Sequence, residues 1–86
     1  MKEIINEKVS VVTVYNRMKG LVIPCKIKWQ NRIYRIKKIG FHHTIREGRK
    51  LCHIFSVTDG NLDFRLKFDS ETLHWTLEEV SDGLAD

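Results

Sequence analysis

Hydrophobic and polar residues alternate one by one along most of the chain, which is the pattern of a β-strand with one buried face. Helical periodicity is almost absent, and only residues 2–8 fit one amphipathic helical turn. The alternating runs are rich in β-branched residues, which favour strands. The pattern predicts six strands, at residues 8–15, 23–29, 32–41, 51–58, 62–68 and 72–80, with the third extending toward Thr44.

Short polar segments with turn signals connect most of these predicted strands: QN at 30–31, REGR at 46–49, DGN at 59–61 and DSET at 69–72. Connections this short join antiparallel strands, because parallel strands need a long crossover. We therefore expect an all-β fold, a single small antiparallel meander that is strongly bent or closed into a barrel of SH3-like or OB-like size. A chain of 86 residues has room for one core, so we predict one domain over residues 1–86, frayed at 1–7 and 81–86.

The hairpin around residues 30–31 indicates which side chains share a face. Antiparallel pairing across this turn places hydrophobic residues together on one side of the sheet. The expected pairs are Trp29 with Arg32, Ile27 with Tyr34, and Cys25 with Ile36. The opposite side then carries Lys26, Lys28, Ile33, Arg35 and Lys37. Four cations on one patch of sheet repel one another, so this face favours an anionic partner.

The later strands supply the rest of the predicted core. Their alternation assigns to it Phe64, Leu66, Phe68, Leu73, Trp75 and Leu77. Gly40 interrupts the third strand, and a glycine inside a strand often marks a β-bulge. A bulge at residues 38–40 would switch the faces and turn Phe41 toward the core.

Charge is divided unevenly along the chain. Residues 17–50 hold eleven Lys/Arg and one acid, whereas residues 59–86 hold two bases and eight acids; the formal net charge is +4. A cationic block of this size is typical of proteins that bind polyanions. The predicted nucleic-acid-binding residues, which would neutralise phosphates, are Lys26, Lys28, Arg35, Lys37, Lys38, Arg46, Arg49 and Lys50.

Two other interpretations of this charge pattern remain open. The basic face can be a solvated surface that the chain's own acids neutralise. The protein can also be an interaction module or accessory subunit that contacts a protein partner, or forms a homodimer in which basic and acidic blocks pair.

Candidate chemistry is limited to a histidine and cysteine cluster. In the simplest register His43 opposes Cys52 and His42 opposes His53, but neighbouring residues on a strand point to opposite faces. The spacing matches no zinc motif, and the chain contains no nucleophile elbow, P-loop or HExxH sequence. We therefore predict a protein that is not an enzyme and has no metal site and no cofactor.

The longest uncharged apolar run, residues 9–15, is shorter than the roughly 20 residues of a membrane-spanning helix. The first residues, MKEIINEK, lack the apolar core of a signal peptide. We therefore expect a cytoplasmic protein that makes no membrane contact. Cys25 and Cys52 would remain thiols there, as small buried hydrophobic residues.

Two segments, WQNRIYRIKKI and LDFRLKFDSETLHWTLEEV, together resemble a small bacterial β-domain family. The matching positions, within residues 24–80, are Trp29, Arg32, Tyr34, Phe68, Asp69, Trp75 and Leu77. Members are sometimes attached to DNA-repair polymerase-like proteins, so the resemblance implies a nucleic-acid context and carries over no catalytic residue. The chain departs from the family at His42 and His43, where a bulky aromatic residue is expected.

Overall fold

The computed structural model describes residues 1–82 and shows an all-β fold, in which these residues form seven strands and no helix. All neighbouring strands are antiparallel, in the order β3-β2-β1-β7-β6-β5-β4. The strands are β1 Lys2–Asn16, β2 Leu21–Trp29, β3 Arg32–Arg35, β4 Lys38–Glu47, β5 Lys50–Thr58, β6 Asp63–Asp69 and β7 Trp75–Ser81. The predicted all-β antiparallel fold is therefore confirmed.

Strand β1 has 15 residues, almost twice as many as predicted, because its first half extends beside β7. Residues 2–9 pair with β7, and residues 10–16 pair with β2. The helical turn predicted over residues 2–8 is wrong, and residues 2–7 are held in the sheet instead of fraying. Their pairing with β7, which is interrupted between Ile4 and Glu7, holds them in the sheet. This tertiary contact outweighs the local pattern. Ser81 also lies in a strand, while residues 83–86 lie outside the described residues.

The third predicted strand is divided into β3 and β4 by Ile36 and Lys37. The Ile36 N–H donates to the Cys25 carbonyl at 2.9 Å, and the Lys37 N–H donates to the Thr58 carbonyl at 2.8 Å. This two-residue segment therefore connects β2 with β5, although β3 and β4 lie at opposite ends of the sheet. The sheet is strongly bent, but it is not closed by pairing of its end strands.

The concave side of the bent sheet holds one hydrophobic core. Tyr34 and Phe68 lie at its margin, with ring centroids 5.3 Å from Phe64 and 4.6 Å from Trp75, respectively. Trp29, Tyr34 and Phe68 are half-buried and pack against the core. The buried members are Ile27, Phe55, Val57, Phe64, Leu66, Trp75, Leu77 and Val80.

Two residues that alternation assigned to the core are exposed instead. Phe41 is 58% exposed because the chain changes faces twice, once at residues 36–37 and again at the bulge between Ile39 and Phe41. The predicted bulge at Gly40 is confirmed, but the additional break before it cancels its effect on Phe41. Leu73 is 67% exposed, because β7 begins only at Trp75 and Leu73 lies in the preceding turn.

The two cysteines differ in burial. Cys52 is buried, as predicted, whereas Cys25 is half-buried beside an irregularity in the β1–β2 pairing, and both are free thiols. None of the elements formed by residues 1–82 is a helix with the length and apolar character needed to cross a membrane.

Candidate nucleic-acid interface

The β2–β3 hairpin has the register that its sequence predicts. Trp29 pairs with Arg32 and Ile27 pairs with Tyr34. The two turn residues, Gln30 and Asn31, have φ angles of 52° and 60°, as in the two-residue turns that match the twist of a hairpin. This turn fixes the register, and therefore also fixes which side chains point away from the core.

The outward side of the hairpin is cationic. Lys26 lies directly opposite Arg35, and Lys28 lies opposite Ile33. Side chains opposite each other in an antiparallel pair are about 4.5–5.5 Å apart at Cβ, and like charges there are destabilising. Ile33, which is 65% exposed, lies beside these charges.

Strand β1 extends this surface and adds a cation that sequence reasoning missed. Ser10 pairs with Lys28 and Val12 pairs with Lys26, so even-numbered residues in this part of β1 lie on the cationic side. Lys8 shares their parity and lines one depression with Lys28. Alternation within the first predicted strand contained this signal, but the pairing of β1 with β2 was needed to interpret it.

Lys37 and Lys38 follow β3 directly, and both line one depression with Pro24 and Cys25 of β2. The side chain of Lys37 lies against the β5–β6 turn, with its Nζ 3.4 Å from the position that a Cβ on Gly60 would occupy. Lys38 begins β4 opposite Thr58 and is exposed. We define the cationic face as Lys8, Lys26, Lys28, Arg35, Lys37 and Lys38.

Within the described residues 1–82, no salt bridge involves a member of the cationic face. The acids of the C-terminal strands pair with other bases. Glu79 binds Lys2 at 2.9 Å, and Glu78 accepts a hydrogen bond from Arg65 Nε at 3.1 Å. The carboxylates of residues 1–82 therefore leave this face without direct ionic partners.

The other three predicted binding residues lie at the β4–β5 turn. Arg46 is eight residues along β4 from Lys38, which is roughly 26 Å at about 3.3 Å per residue. Arg49 and Lys50 lie in and after the turn, and Lys50 Nζ is 3.3 Å from Asp69 Oδ2. The sequence prediction therefore combined two groups of cations that the fold separates along β4.

Carboxylates are interleaved with the cations near this turn. Lys67 Nζ is 3.2 Å from Glu47 Oε1, and this hydrogen bond is the main reason that the pKa of Lys67 is raised. Asp69 Oδ1 accepts hydrogen bonds from the backbone N–H groups of Glu71 and Thr72, and the first of these is the largest cause of its lowered pKa. Lys8 lines the same depression of about 370 Å³ as Glu47 and Lys50, so it marks where the two regions meet.

The histidines are close together, but in a different register from the one predicted. His42 pairs with Phe55 and His43 pairs with Ile54, two positions away from the expected pairing with His53 and Cys52. A register shift of two residues leaves each side chain on the same face of the sheet. His42 and His53 therefore still share a face, and His42 Nε2 lies 3.0 Å from His53 Nδ1. Burial, followed by the nearby charges of His53 and His43, lowers the pKa of His42.

His43 lies on the other face, where its ring centroid is 5.0 Å from that of Phe41. Within residues 1–82, no group of three or more His, Cys, Asp or Glu side chains is arranged to hold a metal ion. Burial raises the pKa of the Cys52 thiol above its usual value, which disfavours the thiolate that a nucleophile requires.

Comparison with known proteins finds no matching family model, and no significant similarity to a curated protein or to a solved structure. The resemblance to a small bacterial β-domain family therefore stays a prediction.

Proposed function

We propose that this chain is a non-enzymatic, cytoplasmic nucleic-acid-binding domain that contacts phosphates through the cationic face. The observation that carries the proposal is the absence of any salt bridge to this face within residues 1–82, although carboxylates elsewhere in those residues do form ion pairs. The cost of placing Lys26 opposite Arg35 is relieved when an anion lies over both. A phosphate backbone supplies such anions at regular spacing.

The side chains on this face favour contacts with the nucleic-acid backbone over sequence-specific contacts with the bases. The exposed apolar residues on the same side of the sheet, Ile33, Val12 and Val14, are aliphatic and provide no aromatic surface on which a base could stack. Lysine dominates the cations, and it binds phosphate as a point charge without the bidentate geometry of arginine. We therefore expect binding with little sequence preference.

Titration of a fluorescent oligonucleotide at several salt concentrations tests the proposal. Six phosphate contacts predict a slope of about −5 in log K against log salt on duplex DNA, at roughly −0.9 per contact. Replacing Lys26 and Arg35 together by Gln should reduce the magnitude of this slope by about 2. Failure of the wild-type protein to bind either single or double strands at low salt would overturn the proposal.

A second double variant, Arg46→Gln with Arg49→Gln, is the matched control. It removes the same two charges, but from the β4–β5 turn. A smaller loss of affinity in this control than in the Lys26 and Arg35 variant would locate binding on the cationic face. Equal losses in the two variants would mean that overall charge, and not this face, determines binding.

The alternative of a dimer held by opposite charges has less support. Several acids of the C-terminal block already make intramolecular ion pairs, among them Asp69, Glu78 and Glu79. Pairing these acids with a second molecule would exchange those contacts for similar ones. Because exposed ion pairs contribute only about 0–1 kcal/mol each, the exchange adds little net stability.

A further inference from the structure

The second half of β1 has one unpaired edge. From Ser10 to Asn16 it pairs with β2 on one side, whereas pairing with β7 on the other side ends at Val9. Within the described residues, no strand lies against that second edge. Its backbone N–H and C=O groups are therefore arranged as a template for another strand.

This edge lacks the features by which proteins usually prevent such pairing. Charged residues, proline and bulges commonly protect exposed edges, but the segment SVVTVYN contains no charge and no proline. The irregularity at Val12 and Thr13 is on the side that faces β2. Exposed hydrophobic side chains are concentrated here, since Val12, Val14 and Tyr15 are 57%, 54% and 65% exposed.

We propose that a second copy of this chain pairs with this edge, with the two β1 strands antiparallel and centred on Thr13. This register uses all seven unpaired positions. It places Val12 opposite Val14 of the second copy, Val11 opposite Tyr15, and Ser10 opposite Asn16. The three exposed hydrophobic side chains thereby gain apolar or β-branched neighbours, which stabilise cross-strand pairs.

The charge pattern also favours a second copy as the occupant. Ser10 to Asn16 carries no charge, and the charged residues that flank it lie outside the unpaired edge, since Glu7 pairs with Leu77 of β7 and Lys19 lies in the β1–β2 turn. The uncharged centre places no like charges opposite each other, so self-pairing avoids the usual penalty.

The proposed dimer would join the two cationic faces. The two-fold axis that relates antiparallel neighbours is perpendicular to the sheet, so both faces lie on the same side of a continuous sheet β3-β2-β1-β1-β2-β3. Lys26 residues of the two copies are separated by at least three strand spacings, or about 14 Å. This exceeds the screening length of about 8 Å at physiological salt.

Repulsion between the two faces should therefore weaken this dimer only at low salt, and a rise in salt should not dissociate it, because apolar and backbone contacts persist. A dimer held by opposite charges would instead dissociate as salt rises. Pairing of one seven-residue segment gives an interface at the small end of the range for proteins. We expect weak self-association that becomes detectable at high protein concentration.

Sedimentation equilibrium across a range of protein and salt concentrations measures this association. Val14→Lys should abolish it, because the substitution places a charge opposite Val12 of the second copy. Ile33→Lys is the matched control, since it adds the same charge at another exposed aliphatic residue away from the edge. Equal dimerisation by the two variants, or dissociation of the wild type as salt rises, would overturn the proposal.

Disulfide trapping tests the register. In a Cys25→Ser background, Thr13→Cys places two thiols opposite each other at the two-fold axis, where Cβ atoms are about 4.5–5.5 Å apart. A small backbone shift brings them within the roughly 3.5–4.5 Å of a disulfide. Met18→Cys, in the β1–β2 turn, is the control. Rapid covalent dimerisation of Thr13→Cys alone supports the proposal, whereas equal rates in both variants contradict it. These measurements use no nucleic acid, so they stand independently of the binding titrations.

Discussion

Two leucines in one alternating run provide a direct test of the fold. Leu73 and Leu77 have the same parity in the sequence LHWTL, and alternation assigns both to the core. In the structure Leu77 is completely buried, whereas Leu73 lies in a turn with most of its surface exposed. Alanine substitutions at these two positions should therefore have very different effects on the free energy of unfolding.

The expected loss for Leu77→Ala is about 2–5 kcal/mol, because burial is lost and a cavity remains. A domain of 86 residues has a total stability of about 4–13 kcal/mol, at roughly 0.05–0.15 kcal/mol per residue. The substitution thus removes a large share of that stability. Since each kcal/mol corresponds to about 4–8 °C in a domain of this size, Tm should fall by at least about 8 °C.

Leu73→Ala should change stability by about 0.5 kcal/mol or less, as is usual for surface positions. Leu73 has a φ of 64°, a conformation that costs an L-residue with a side chain roughly 1–2 kcal/mol. Leu73→Gly should therefore raise Tm. Urea unfolding followed by circular dichroism measures all three variants. Similar losses for Leu73→Ala and Leu77→Ala would refute the position of the β7 start and restore the strand that alternation predicts from Thr72.

Two further predictions concern titratable groups. The pKa of His42 is lowered below the ordinary 6.5, chiefly by burial. As pH falls, His42 is therefore protonated in the unfolded chain before it is protonated in the folded protein. The stability that neutral His42 contributes is present above pH 6.5 and lost as pH falls below it. Urea midpoints at pH 7.5 and 5.5 should show this loss, and a His42→Gln variant with the same pH dependence would contradict it. The second prediction concerns the thiols: half-buried Cys25 should react with a thiol reagent in the native protein. Cys52, which is buried and has a raised pKa, should react only after unfolding. Simultaneous modification of both thiols in the native state would be inconsistent with the burial of Cys52.

The sequence predicted faces more reliably than registers, because alternation has a period of two. The β4–β5 hairpin illustrates the difference. Its turn involves Gly48 and Arg49, so that Glu47 pairs with Lys50, which shifts the expected pairs by two positions. A shift of two leaves every side chain on the same face. Alternation therefore could not distinguish the two registers, although the contact between His42 and His53 survives in both.

Alternation of hydrophobic and polar residues does not show how many bulges and breaks interrupt a strand. Gly40 signalled one bulge, but the break at Ile36 and Lys37 carries no glycine or proline. Its cause is tertiary, since the two N–H groups there bond to Cys25 and Thr58, which belong to different strands. Phe41 was misassigned for this reason.

The candidate site could be predicted only in part, because charge counts do not show which acid meets which base. The uneven distribution of Lys and Arg indicated a cationic surface, and the register of the β2–β3 hairpin placed Lys26, Lys28 and Arg35 on it correctly. The pairing of Glu79 with Lys2 depends on β1 lying beside β7, a long-range contact that local pattern does not contain. The same contact determines that the acids of β7 lie away from the β2–β3 hairpin.

In the proposed function, the cationic face would link the stability of the fold to ligand binding. Lys26 and Arg35 repel each other in the free protein, because they lie directly opposite and no carboxylate of the described residues forms a salt bridge with either. A polyanion that binds only the folded chain both removes this repulsion and stabilises the fold by RT ln(1 + [L]/Kd). Unmatched charge at this face therefore lowers the stability of the free protein and increases the free energy available for binding. Carboxylates of the chain itself, paired with this face, would have raised the stability of the free protein and reduced the free energy available for binding. Such carboxylates do pair with Lys67 and Lys50 at the β4–β5 turn.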